Sequence, residues 1–452
     1  MRIDALVLEV GSTITKANGF RCSEGCLDLV AQGVAPTSVV AGDVGIGVDE
    51  AVAHLEESSG LSTADAETFV TSSAAGGLRM TVHGLTMGMT ARAAREAALG
   101  AGAIVTLVTA GRLGEHDLEQ IRAIDPSMVL LAGGVDHGDQ EIVLANAQAL
   151  ATSGVRGPVL YAGNVAVQRV VRRIFEDSGI ELVVTDNVFP DIDELAVEPV
   201  RALVHEEFNR HIVHAPGMAR LEALSEWRIL PTPGAVLRGA ELFADEAGDC
   251  LVVDVGGATT DVHSITDGSS QWAARAIDPE PRAKRTVEGD LGVFVNARNV
   301  AELAGGANWE ARLADLVALP TTERQRQLTR DLCAVAVATS VQRHAGMVIE
   351  QHTPTGRRQV VRGRDLTAVR WVVGTGGALT RVPGGREILR SICQGPGTHL
   401  LPPPEARILI DSDYRFSALG TLAQAHPDEV RATFRRWAQA EQRQHPDDPT
   451  PP

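Results

Sequence analysis

The stretch Leu251-Val252-Val253-Asp254-Val255-Gly256-Gly257-Ala258-Thr259-Thr260-Asp261-Val262-His263-Ser264 decides how this chain is read. An apolar run leads into an acidic residue, then small residues, then a second strand-like run. The pattern predicts a β-hairpin with a small-residue turn. Without bulky side chains in the way, the N–H groups of such a turn approach an anion closely. Thr259 and Thr260 add hydroxyl donors. Asp254 and Asp261 would repel a bare phosphate, so the composition suits phosphate accompanied by magnesium. Taken alone, a tight turn with a solvated acidic flank explains the same residues equally well.

Two further stretches repeat the grammar. Leu6 to Lys16 reads LVLEVGSTITK: an apolar strand, Glu9, then Gly11, Ser12 and Thr13. Trp371 to Val382 reads WVVGTGGALTRV, with Gly374, Gly376 and Gly377 in a glycine-only version of the turn. The two acidic turns lie about one domain apart, and the glycine turn follows the second.

In this order the three stretches resemble the actin, Hsp70 and sugar-kinase superfamily of ATPases. Glu9-Val10-Gly11-Ser12-Thr13 is similar to its first phosphate loop, Asp254 to Asp261 to its second, and Gly374 to Ala378 to its adenosine loop. The resemblance implies an α/β, two-domain actin-like (ribonuclease H-like) fold with the nucleotide cleft between the domains. Glu9 stands where that superfamily usually has Asp; it keeps the charge but reaches one methylene further. Ser72 to Met80, Leu130 to Asp136, Tyr161 to Asn164 and Arg285 to Gly292 narrow the likeness to the MutL/GlmL family, over roughly residues 1 to 425. These are the glutamate mutase (methylaspartate mutase) accessory proteins, unrelated to the mismatch-repair protein of the same name. That resemblance implies an ATP-dependent, chaperone-like partner of an adenosylcobalamin-dependent mutase. Nothing in composition or spacing points to a mutase.

The remaining composition sets bounds. With 452 residues, more than one domain is expected. Aromatics are only 4%, so the cores must rest on Val, Leu, Ile and Ala. The formal charge of −17 argues against a nucleic-acid ligand. Lys16 and Lys284 are the only lysines among 41 basic residues, and Lys16 sits beside the first phosphate turn. There a compact, mobile ammonium has an advantage over a planar guanidinium; a chance survivor on a solvated edge is the plainer account. Five scattered cysteines argue against a disulfide framework. The chain starts directly on a strand-like run and has no apolar run of about 18 residues. A cytoplasmic protein is the expectation.

Along the chain, strands are expected at Ile3–Val10, Thr15–Phe20 and Leu27–Val34, with a helix over Asp43–Ser58 whose apolar positions share one face. Phe69 to Met80 reads as strand, small-residue turn and strand. From Met128 to Arg210 strands and helices alternate, which predicts a doubly wound α/β layer. His211 to Pro233 breaks that pattern, and the hinge is expected near Pro231 to Asp249. The expected domains are 1–235, with the α/β insertion, and 236–435, followed by a disordered tail at 436–452. Asp278 to Arg285 reads as a charged loop and Thr286 as a helix cap. One long helix is expected over Glu323–Glu350, with His344 on it as a satisfied rather than catalytic residue.

The ligand expected is ATP with Mg2+. Its triphosphate carries about four negative charges, whereas a charge-assisted hydrogen bond contributes only about 1.5–3 kcal/mol. One lysine and one set of turn amides therefore fall short, and a divalent ion with Glu9, Asp254 and Asp261 as carboxylate partners is expected. Asp254 would orient water and Thr259 would contact the γ-phosphate. Gly11, Ser12, Thr13, Lys16, Gly256, Gly257, Ala258, Thr260, Gly374, Gly376 and Gly377 would cradle the nucleotide. Lys284 or Arg285 would reach it, and Glu288 would accept from a ribose hydroxyl. Three rivals stand beside this reading. The Asp254 stretch also resembles the hydantoinase/oxoprolinase family. A small-molecule kinase would need a substrate-hydroxyl pocket and a base, with Asp254 as the one available group. A module that binds nucleotide without turnover is the third. A Walker P-loop is excluded by the absence of Gly-Lys-Ser/Thr, and a Rossmann fingerprint fails at Leu379.

Overall fold

Near-continuous apolar runs make the central strands. β1 (Ala5–Val10) is buried at every position, as is the core of β2 (Ile14–Ser23) that returns antiparallel to it. β3 is Cys26–Pro36, and β4 (Glu67–Ser72) runs parallel to β1 on its other side. The computed structural model describes every residue except 1, 12–13, 39–42, 74–77, 177, 193, 213–217, 278–279, 306–308, 354–355, 396 and 445–452. It divides into two units, Met1–Cys22 with Asp28–Ala235, and Ser23–Leu27 with Val236–Pro452.

In the first unit the next strands are β5 (Arg79–Gly84), β6 (Ile104–Ala110), β7 (Met128–Leu131), β8 (Val159–Tyr161), β9 (Leu182–Val184) and β10 (Leu230–Pro231). They form two sheets, ordered β10-β4-β1-β2-β3 and β6-β5-β7-β8-β9. The second is parallel throughout, the doubly wound layer expected from residue 128 onward. β4 and β5 belong to different sheets, so the stretch read as one strand–turn–strand is the passage between layers; residues 74–77 lie outside the described residues. Leu8, Val10, Leu55, Val70, Met80 and Leu130 belong to one continuous core that spans both sheets. The helix Val44–Ser59 packs on it, capped by Asp43, whose carboxylate accepts from the Gly45 amide at 2.7 Å.

The second unit contains β11 (Cys250–Val255), β12 (Thr260–Ile265), β13 (Ala283–Glu288), β14 (Met347–Thr353), β15 (Gly356–Arg362), β16 (Trp371–Thr375) and β17 (Arg407–Ile410). Its main sheet is ordered β13-β12-β11-β16-β17. Counted within each sheet, both this sheet and the β10-to-β3 sheet have the order 3-2-1-4-5: an antiparallel three-strand meander followed by two parallel strands. That repeated order is the ribonuclease H-like core of the actin-like ATPase fold.

Three expectations are corrected here. Lys284 to Glu288 is not a loop and helix cap but strand β13, paired with β12. The long helix ends at His344, because the chain turns at Ala345-Gly346 into the β14–β15 hairpin. The last helix runs over Pro427–Gln444 and so takes in 436–444 of the stretch expected to be a tail.

Candidate phosphate-binding turns

The two acidic hairpins close in the same way. In the first unit Glu9 lies opposite Lys16 and Val10 opposite Thr15, and the Gly11 amide donates to the Ile14 carbonyl at 3.0 Å. In the second, Asp254 lies opposite Asp261 and Val255 opposite Thr260, and the Gly256 amide donates to the Thr259 carbonyl at 2.9 Å. Each hairpin thus ends in a four-residue turn shut by its first glycine. Ser12 and Thr13 lie outside the described residues.

The charges differ between the two. In the first hairpin, Lys16 Nζ is 2.7 Å from Glu9 Oε1, and both side chains are buried. The lysine expected at phosphate and the carboxylate expected at metal are therefore partners of each other across one sheet pair. In the second hairpin both facing positions are acidic, and the cation comes from the neighbouring strand. Arg285 on β13 donates to Asp261 Oδ1 from Nε at 2.9 Å and Nη2 at 2.5 Å, while Thr259 Oγ1 donates to Asp261 Oδ2 at 3.2 Å. Asp261 is buried and Asp254 is half-buried at the end of β11. Among the described residues no three His, Cys, Asp or Glu side chains gather to hold a metal ion. Magnesium asks for less, because it keeps several waters and takes one or two carboxylates besides phosphate oxygens.

The turn after Gly256 is gripped from one side. Val293 N donates to Gly256 O at 3.2 Å, and Phe294 N and Val295 N donate to Gly257 O at 2.9 and 2.7 Å. Asn296 Nδ2 donates to Ala258 O at 2.7 Å, and the Thr260 hydroxyl to Leu291 O at 2.7 Å. Gly292 permits the grip, since a Cβ there would fall 2.2 Å from the Ala258 carbonyl carbon. No acceptor among the described residues takes the amide hydrogens of Gly257, Ala258 or Thr259. Three carbonyls of the turn are thus engaged while three of its amides have no acceptor among the described residues, an arrangement suited to an anion.

The glycine turn adjoins it within the same unit. β16 lies parallel to β11, with Thr375 opposite Asp254. Gly376 has φ +85°, and a Cβ there would lie 2.4 Å from Val255 O and 2.5 Å from Asp254 Oδ1. Only glycine brings the two turns this close. The short helix Gly377–Thr380 follows, with Gly377 exposed. Tyr414 stands over it, its hydroxyl 3.3 Å from Thr380 Oγ1 and the Arg381 guanidinium 5.8 Å from its ring centre.

Other expected contacts are accounted for differently. Gly374 is buried inside β16, where a Cβ would meet Leu389 Cδ1 at 2.7 Å, so packing accounts for a glycine there. Glu288 Oε2 accepts from Arg343 Nη1 at 2.7 Å, and Arg343 also holds Asp290, whose carboxyl it lowers. Lys284 pairs with Glu280 at 2.8 Å and both are largely buried. His344 is buried between Thr286 Oγ1 and Ser264 Oγ, both at 2.8 Å, and burial holds its imidazole neutral. Little in the sequence marks the gripping segment after Gly289 beyond Gly292, where a Cβ does not fit, and Asn296.

A family profile described as MutL protein matches residues 5–438. Protein MutL of Clostridium tetanomorphum is 36% identical over 463 residues, covering 96% of this chain and 98% of that one. The chain belongs to the MutL family. Among solved structures, nucleotide-free acetone carboxylase superposes at TM-score 0.39 with 12% identity, covering 93% of this chain and 70% of that one. A glycerol dehydratase reactivase superposes at 0.32 with 10% identity over 85% and 94%, and xylulose kinase of Bifidobacterium adolescentis at 0.30 with 11% identity over 96% and 94%. Superpositions this loose leave the fold to be read from the strand orders. No helix among the described residues is long and apolar enough to cross a membrane.

Proposed function

We propose that this MutL-family chain binds and hydrolyses ATP as a chaperone-like accessory protein that reactivates an adenosylcobalamin-dependent mutase such as glutamate mutase, in the cytoplasm. The observation that carries the ATP part is the turn Gly256–Thr259, whose carbonyls are tied back while the amides of Gly257, Ala258 and Thr259 have no acceptor among the described residues. Family membership supports the mutase part and favours it over a hydantoinase or kinase.

In this reading the amides of Gly257, Ala258 and Thr259 bind phosphate oxygens, and the Thr259 hydroxyl turns from Asp261 to donate to the terminal phosphate. Asp254 orients the attacking water, and Gly376 and Gly377 admit the adenosine. The Gly11 turn, closed by the same amide-to-carbonyl bond, is the first unit's counterpart, and Lys16 reaches a phosphate only by giving up Glu9. Glu288 reaches a ribose hydroxyl only if it gives up Arg343. Magnesium, when bound, would be held through Asp254 and water and would neutralise polyphosphate charge. The protein's contribution is positioning and charge stabilisation, with no covalent intermediate. Nucleotide then biases the partner surface by as much as its affinities for two conformations differ.

The test is ATP turnover of Asp254→Ala, with folding verified by melting. A fall of about 100-fold or more is expected if Asp254 positions the reacting groups. Unaltered turnover in a folded variant removes Asp254 from the mechanism.

A further inference from the structure

Asn296 occupies the N-cap of the helix Ala297–Ala304, where an asparagine side chain ordinarily accepts from the first-turn amides. Here it makes no capping bond. Its amide group instead spends both hydrogens on carbonyls of other segments, Ala258 O at 2.7 Å and Gly289 O at 2.8 Å. Both acceptors are carbonyl oxygens, so the side chain must present its NH2 there. It thereby ties the far end of the Gly256–Thr259 turn to the start of the gripping segment. The backbone of Val293, Phe294 and Val295 holds the near end.

A peptide carbonyl and the following amide point in opposite directions from one plane. Fixing Ala258 O therefore fixes the Thr259 amide, as fixing Gly257 O fixes the Ala258 amide. We propose that Asn296 is a positioning residue for polyphosphate binding: it sets the direction of the Thr259 amide by holding the Ala258 carbonyl back. The proposal rests on the ATP reading above and deepens it by assigning Asn296 to the phosphates and not to the adenosine. Asn296 itself touches no nucleotide in this account. An aspartate there would set a carboxylate oxygen against two carbonyl oxygens, and a serine would retain one donor at most.

The experiment is calorimetric titration of the full chain with Mg-ADP, Mg-ATP and adenosine, with melting curves for each variant. Asn296→Ala is expected to weaken ADP and ATP by about tenfold while leaving adenosine unchanged. Asn296→Asp is expected to weaken the nucleotides further, and Asn296→Ser to fall between alanine and wild type. Damage to the unit as a whole would weaken all three ligands together, and that result overturns the proposal. So does a folded Asn296→Ala that binds ADP within about twofold of wild type. Failure of both the alanine and serine variants to fold also overturns it, because the role claimed is confined to one turn. A wild-type chain that binds neither nucleotide refutes the ATP reading itself, and with it the ligand assigned to Asn296.

Discussion

Replacing Arg285 by methionine separates structural charge from catalytic charge at the second turn. The guanidinium is buried and gives Asp261 two bonds, at 2.9 and 2.5 Å; of the hydrogen bonds described for that carboxylate, only the one from Thr259 remains without it. Removing one partner of a buried ion pair costs about 3–5 kcal/mol, whereas replacing both with apolar residues of similar size is often nearly neutral. Arg285→Met and Asp261→Leu should thus each cost about 3–5 kcal/mol, and the double variant much less than their sum. The expected coupling is about 2 kcal/mol or more. Urea unfolding followed by tryptophan fluorescence reads this out. Trp272, Trp309, Trp371 and Trp437 lie in the second unit and Trp227 in the first, so a Trp227→Phe background makes the signal specific. Losses that add to within about 0.5 kcal/mol would refute the pairing argument.

Gly376→Ala combines a strained positive φ with a Cβ 2.5 Å from Asp254 Oδ1. A loss of at least about 2 kcal/mol is expected, with a fall in ATP turnover as Asp254 is displaced; a melting curve and activity like wild type would contradict it. Asp411 is wholly buried, accepts from the Arg415 and Phe416 amides, and is raised by burial to about 6. A raised carboxyl favours the folded state below its unfolded pKa and loses that contribution as pH rises through its folded pKa. The unfolding free energy of wild type minus that of Asp411→Asn should therefore fall by about 3 kcal/mol between about pH 4 and 6, and stay flat above. A difference that is constant with pH would show that Asp411 does not titrate there.

The hairpins were legible because strand, acid and glycine occur in a fixed order that a backbone turn requires. Gly11 and Gly256 close their turns by the same bond. The parallel layer was legible from the alternation of apolar runs with helical spacing. β13 was not, because most of the residues it buries are polar. Lys284, Arg285 and Thr286 are buried only by virtue of Glu280, Asp261 and His344, partners that no local pattern reveals. Only Met347–Glu350, the start of β14, falls within the expected helix, since Val348 continues the helical spacing; Gly346 marks the break. At the site, residue types pointed to phosphate. Pairing decided which charges are engaged: Lys16 with Glu9, Asp261 with Arg285, and Glu288 with Arg343. Gly374 shares a motif with Gly376, yet it continues the buried strand β16 and pairs with Ile410 of β17, which the motif alone does not reveal.

Calorimetric titration of the folded chain with ADP and ATP, with magnesium and then with EDTA, addresses the central claim most directly. Saturable binding that weakens when magnesium is removed is the predicted result. Absence of binding by either nucleotide to protein with a sharp melting transition would contradict it.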